Sequence, residues 1–213
     1  MKILYTDSKR IAKAYSIDTL LGGLPDSLKP RALRYQFEED AYRFLLGRIL
    51  LKRGLLSLGY STNLLETISY NEEGKPLLEE VFFSISHSQN LVACAISEKE
   101  VVGLDVEMAR DVDWKYFRSY FSEKEWTRIA ADKSRRIFYT YWTQKEAILK
   151  VNGVGLSQLT NIKLAGTCAV FYSRGNTSRW QLKMLKFPFF PKTYACLCTA
   201  SSCAPKMIHL TKV

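Results

Sequence analysis

The chain has 213 residues, enough for one large domain or two small ones, and 47% hydrophobic with 13% aromatic content excludes a disordered, coreless polymer. No apolar run reaches the ~18 residues of a membrane-spanning helix, and Asp7 cuts the first apolar stretch too short for a signal peptide, so a soluble, cytoplasmic protein away from membranes is expected. The net charge is +10, from 31 Lys and Arg against 21 Asp and Glu, and favours an anionic partner: nucleic acid, a membrane surface, an acidic protein or a multiply phosphorylated small molecule.

Residues 1–7 read as a strand. Pro25 and Pro30 bracket a loop followed by Lys29, Arg31 and Arg34. The stretch Glu38–Leu56 has helical periodicity, with Ala41, Phe44, Leu45, Ile49, Leu51 and Leu55 on one side. Gly47 within it allows close packing against a neighbour. A turn at Glu73–Gly74 precedes Lys75–Pro76, and the strands 81–88 and 91–97 lead through Glu98–Lys99–Glu100 into a third strand, 101–107. Asp113–Tyr120 reads as an aromatic-rich helix. Ser122 with Glu125 is a capping box that starts the next helix. A longer helix runs from about Lys133 to Val151 and is stopped by the glycines of "NGVGL". Strands are expected at 161–172, 179–187 and 194–200, separated at the end by Pro188 and Pro191.

The five cysteines form no CxxC pair and read as reduced, mostly buried hydrophobes. Each half of the chain holds one long helix and a hairpin, which predicts two similar α+β halves meeting near residue 101 and fused without a linker.

Four groups could carry chemistry. Asp105 and Glu107 lie two apart in an apolar strand, on one face, with Cα atoms ~6.6 Å apart at ~3.3 Å rise per residue. Both stay ionised there only beside a cation, for which Mg²⁺ suits; alternatively the strand is an edge and both face water. On the long helix, Trp142, Lys145, Glu146, Leu149 and Lys150 share one side. Glu146 and Lys150 could be a surface ion pair or part of a partly buried site. In "SISHS", strand alternation points Ser84, Ser86 and Ser88 one way and Ile85 and His87 the other. His87 could meet a phosphate or could be half-buried with a backbone partner. A Ser-His hydrolase fits poorly, because Ser86 and His87 face opposite ways and no G-x-S-x-G elbow is present. Lys29, Arg31, Arg34 and Arg43 are either a solvated face or an anion clamp. Together the acids, the cations and the lone His suit metal-assisted phosphate chemistry on a polyanion.

Taken in order, "RYQFEEDAYRFLLGRILL", "GKP" at 74–76, "FSISHS" at 83–88, "GLDVE" at 103–107, "FSEKEW" at 121–126 and "WTQKEAILKVNGVGL" at 142–156 resemble the Sfp-type 4′-phosphopantetheinyl transferases. The likeness covers about residues 30–160, and Ser84 stands where that family usually has Asn. It implies an α+β fold of two pseudo-symmetric α/β halves, each a long helix on a small antiparallel sheet, with the site at their junction. Residues 1–101 would contact the phosphates and nucleotide of coenzyme A, and residues 102–213 would carry the metal ligands, the catalytic helix and carrier-protein docking. The implied reaction moves phosphopantetheine from coenzyme A to a serine of an apo carrier protein and releases adenosine 3′,5′-bisphosphate.

By the same resemblance Asp105, Glu107 and Glu146 are the ligands of Mg²⁺ or Mn²⁺. Glu146 is also the base, Lys150 steadies the diphosphate and leaving group, and His87 and Ser86 hold phosphate oxygens. Arg31, Arg43 and Lys75 hold the nucleotide end, with Lys145 and Lys29 as further contacts. Fusion of two halves favours a monomer over the short, trimeric branch of transferases. The rival from another class is a basic nucleic-acid-binding module, which accounts for the charge and aromatics but gives the three acids no purpose and shows no groove-reading motif. A scaffold that lost the reaction would lack one of the acids or lysines, and all are present.

Overall fold

The computed structural model of the protein describes residues 1–173 and 175–212. The chain divides into two compact units, residues 1–99 with 204–213, and residues 100–203.

The first unit opens with β1 (Lys2–Asp7), buried along its centre. Asp7 then caps α1 (Ser8–Ala12) by accepting from the amides of Lys9 and Arg10. After α2 (Ile17–Gly22), the expected loop between the prolines is instead a 3₁₀ turn, Asp26–Leu28, running into the short helix α3 (Lys29–Ala32). Pro30 lies in the first turn of α3, where its missing N–H breaks no hydrogen bond.

The long helix α4 (Glu38–Leu58) places Glu38, Glu39 and Asp40 at its positive end. Leu45, Leu46, Ile49, Leu50, Leu51 and Leu55 of α4 form the centre of the unit's core. Gly47 does permit a close approach: a Cβ there would lie 2.9 Å from Cγ2 of Ile85. The short hairpin β2 (Ser69–Tyr70) and β3 (Pro76–Leu77) follows, with Gly74 in its turn, and then β4 (Phe82–Ser88) and β5 (Leu91–Ser97) pair antiparallel.

The second unit begins with β6 (Val102–Met108). The helix expected from the aromatic run is present at Trp114–Tyr120, wound as a 3₁₀ helix. Its three-residue turn stacks Trp114, Phe117 and Tyr120 on one side, and all three pack against the cluster of Phe121, Ile129, Phe138 and Tyr139. The capping box is present at α5 (Glu123–Ala131): Ser122 accepts from the amide of Glu125, and the Glu125 carboxylate accepts from the amide of Ser122. Replacing Ser122 by Ala should cost about 1 kcal/mol, read as a lower urea midpoint at unchanged slope. An unchanged midpoint would show the cap to be idle.

The helix α6 (Arg136–Asn152) ends at Gly153, whose φ of 67° is the left-handed conformation glycine supplies. The apolar run at 161–172 splits into β7 (Ile162–Ala165) and β8 (Cys168–Ser173), turned at Gly166, and β9 (Asn176–Met184) and β10 (Thr193–Thr199) complete a five-stranded antiparallel sheet in the order β6-β10-β9-β8-β7.

A last strand, β11 (Lys206–His209), has no counterpart in the sequence expectations. It pairs parallel with β1, giving the first unit a mixed sheet of order β11-β1-β5-β4 in place of a purely antiparallel one. Residues 204–213, expected in the second half, therefore belong to the first unit. All five cysteines are free; Cys94, Cys196 and Cys198 are buried, Cys203 is half-buried and Cys168 is exposed. Among the described residues no helix is long and apolar enough to cross a membrane.

Candidate active site

In the second unit α6 lies directly against β6. A Cβ on Gly103 would sit 2.0 Å from the carbonyl oxygen of Ala147 and 2.7 Å from the amide nitrogen of Val151. Only a residue without a side chain allows this approach. It brings the far half of α6 onto the acidic end of β6.

Asp105 is 4% exposed, and its Oδ1 accepts from Nζ of Lys150 at 2.7 Å. Glu107, two residues on, is half-buried. Glu146 lies one helical turn before Lys150 and is also half-buried. Its carboxyl is pushed up from 4.5 to about 7, first by burial and then by the negative charge of Asp105. Glu107 adds to the shift and Lys150 opposes it. Burial pulls the Lys150 ammonium down, but the charges of Asp105 and Glu146 outweigh it and hold the ammonium above its ordinary value. The three acids predicted from spacing thus share one electrostatic neighbourhood with Lys150.

Among the described residues no three His, Cys, Asp or Glu side chains are gathered into a ready-made metal cage. Mg²⁺ seldom uses one; it binds through one or two carboxylates together with substrate phosphates. Carboxylates that repel one another beside a buried strand are hard oxygen donors suited to such an ion.

Lys145 is the clearest departure from expectation. Its side chain is 1% exposed, and its ammonium pairs with Oε2 of Glu125 at 3.0 Å and donates to the carbonyl of Tyr120 at 2.9 Å. It lines a cavity of about 860 Å³ with Phe121, Glu125, Gln144 and Ile162, and none of the three acids lines it. One carboxylate, Glu125, thus serves both the capping box and this pair. Lys145 is committed within the protein core and does not join Glu146 and Lys150. Trp142, expected on that side too, packs edge-on to Phe117 at 4.9 Å.

In the first unit, β4 presents His87 exposed and Ser86 buried, on opposite faces as strand alternation requires. The half-buried Lys75 follows the β2–β3 turn, and burial lowers its ammonium. Arg43 pairs with Asp40 and donates to the Gln89 carbonyl at 2.7 Å, and Lys29 pairs with Asp26. Arg31 lies over the Tyr70 ring, 4.2 Å from its centroid.

Sequence reasoning gave no role to Arg48, Tyr70 or Gly103, and it placed Glu125 in the capping box without its pairing to Lys145. Arg48 carried a signal, a charge set among five apolar residues and a glycine in "LLGRILL"; the others needed partners remote in the chain.

A family model described as the 4′-phosphopantetheinyl transferase superfamily matches residues 101–198. The chain is 34% identical over 151 residues to the 4′-phosphopantetheinyl transferase HetI of Nostoc sp., covering 64% of this chain and 62% of that one. It is 32% identical over 136 residues to the transferase Sfp of Bacillus subtilis, covering 61% and 60%. It is 32% identical over 158 residues to the transferase AcpT of Salmonella typhi, covering 68% and 76%. The match therefore spans less than two thirds of HetI and Sfp.

Proposed function

The chain belongs to the 4′-phosphopantetheinyl transferase superfamily, and on that premise we propose that it moves the 4′-phosphopantetheine group of coenzyme A to a serine hydroxyl of an apo carrier protein. One observation carries this reading: Glu146, raised to about 7, sits in the charge field of Asp105, Glu107 and Lys150.

In the proposed reaction the serine oxygen bonds to the phosphorus bearing the pantetheine arm, and the bond from that phosphorus to adenosine 3′,5′-bisphosphate breaks. The serine proton passes to Glu146, directly or through water. Without metal the carboxyl titrates at about 7, and a divalent cation beside it would favour the ionised form that takes the proton. Lys150 offsets the charge growing on the leaving phosphate. Asp105, Glu107 and Glu146 would hold Mg²⁺ or Mn²⁺, which supplies charge neutralisation to the diphosphate oxygens when bound.

In the first unit Arg31, Arg43 and Lys75 would take the nucleotide end, and His87 a phosphate oxygen. Of the pair Ser86–His87, His87 has the exposed side chain. Lys145 leaves this set because Glu125 holds it. The basic surface suits the polyanionic coenzyme A and speeds encounter with an acidic carrier. One long helix packed on one sheet in each unit supports the reading of pseudo-symmetric halves. We read the protein as a cytoplasmic monomer.

Intact-mass spectrometry of an apo carrier protein incubated with coenzyme A, Mg²⁺ and this protein tests the reading. A gain of one phosphopantetheine, blocked by EDTA, is the expected result. An unmodified carrier across a panel, together with strong, steeply salt-dependent retention of nucleic acid on a filter, would favour the nucleic-acid module instead.

A further inference from the structure

The cavity of about 860 Å³ in the second unit lies between α5, α6 and the edge strand β7, and its volume is that of a small-molecule site. Phe121 and Ile162 give it a buried apolar wall. The charged pair inside is already satisfied. Lys145 spends its three N–H groups on Glu125 and on the carbonyls of Tyr120 and Leu159. Gln144 is not satisfied. Its side chain lines the cavity, the residue is 7% exposed, and among the described residues its amide has no hydrogen-bond partner. An unpaired buried amide costs free energy that a hydrogen bond from a ligand would recover. Lys124, Arg128 and Lys163 line the same cavity and are exposed, and among the described residues none of them pairs with a carboxylate. The only acid in the lining, Glu125, is matched by Lys145.

We propose that this cavity is a second binding site, for a small organic acid with an apolar or aromatic body. The body packs on Phe121 and Ile162, a polar atom of it pairs with the Gln144 amide, and its carboxylate meets Lys124, Arg128 and Lys163. Inorganic phosphate would meet the cations but leave the apolar wall and the amide unused. An uncharged molecule of the same shape would fill the interior and forgo the cations. Asp105, Glu107, Glu146 and Lys150 do not line the cavity, so the site does not depend on the transferase reading.

Calorimetric titration of the full chain tests this without turnover, using three probes: 6-hydroxy-2-naphthoate, 2-naphthoate, which lacks the hydroxyl, and 6-hydroxy-2-naphthamide, which lacks the charge. The wild type should bind the hydroxy acid, and each of the other two about tenfold more weakly, the scale of one hydrogen bond or one charge contact. Gln144→Leu should weaken the hydroxy acid by the same factor and leave 2-naphthoate unchanged, because the variant and the probe delete the same contact. Lys124→Glu should weaken both acids and spare the amide. Lys124 is exposed in the first turn of α5, where an acid suits the helix dipole, so this variant reports even if Gln144→Leu fails to fold. Saturating coenzyme A should leave the hydroxy acid bound. No binding at millimolar concentration would mean that the cavity holds only water, and the proposal would fall. It would fall equally if both variants bound all three probes like the wild type, or if coenzyme A displaced the hydroxy acid completely, which would put the probe in the transferase site.

Discussion

Glu146→Gln is expected to abolish phosphopantetheine transfer, lowering turnover by about a thousandfold or more, while the protein stays folded. The estimate follows from the 10²–10⁴-fold typical of a positioned acid or base. Gln keeps the shape of the side chain and loses both its charge and its ability to take a proton. Near-normal turnover of the variant would remove Glu146 from the mechanism. The same substitution has a signature that does not depend on activity. Because the native carboxyl titrates at about 7 against 4.5 ordinarily, the folded chain holds this proton longer than the unfolded chain does. Ionising it costs folding free energy, so the metal-free protein should lose stability as the pH rises from about 4.5 to about 7 and then level off. The full effect is on the order of 3 kcal/mol. Thermal melts in EDTA across that window should show the decline in the wild type and not in Glu146→Gln. A wild-type profile flat through the window would mean that Glu146 is not crowded by Asp105 and Glu107.

The second large effect concerns Gly103. Replacing it by Ala should destabilise the protein by about 3 kcal/mol or more, the upper range for overpacking, and lower the melting temperature by roughly 10 °C. The clash is with the carbonyl of Ala147 and the amide of Val151, so no side-chain rotation relieves it; α6 must move off β6. That displacement would carry Glu146 and Lys150 away from Asp105, and transfer should fall with stability. Gly22→Ala is the control, since nothing lies within 4 Å of a Cβ there. Equal melting temperatures for the two variants would contradict the close crossing.

Much of this was legible in the sequence where a local period carries the information. The helix α4 and the capping box at Ser122 follow from spacing, because residues three and four apart on a helix must be neighbours, but α4 is buried beyond the predicted side, at Tyr42, Leu46 and Leu50 as well, and Phe44 is only half-buried. Strand alternation put Asp105 and Glu107 on one face, and the structure has both within the charge field of Glu146. It also put Ser86 and His87 on opposite faces, and one is buried and the other exposed. The 161–172 stretch was misjudged because an apolar run does not show a tight turn inside it, and four-residue β11 is too short to carry a period.

Local spacing singled out Asp105, Glu107, Glu146 and Lys150 and the elements that bear them, each with a surface alternative, and the family resemblance assigned them to one site. Which of those charges meet was decided by the fold. Lys145 and Lys150 look equivalent along α6, yet Lys145 is buried against Glu125 of α5, while Lys150 reaches Asp105, 45 residues earlier in the chain. A helix sets only the angle at which a side chain leaves its axis. The electrostatic partner found at that angle depends on what packs there, and here a bare Gly103 lets β6 come close enough for Asp105 to be that partner.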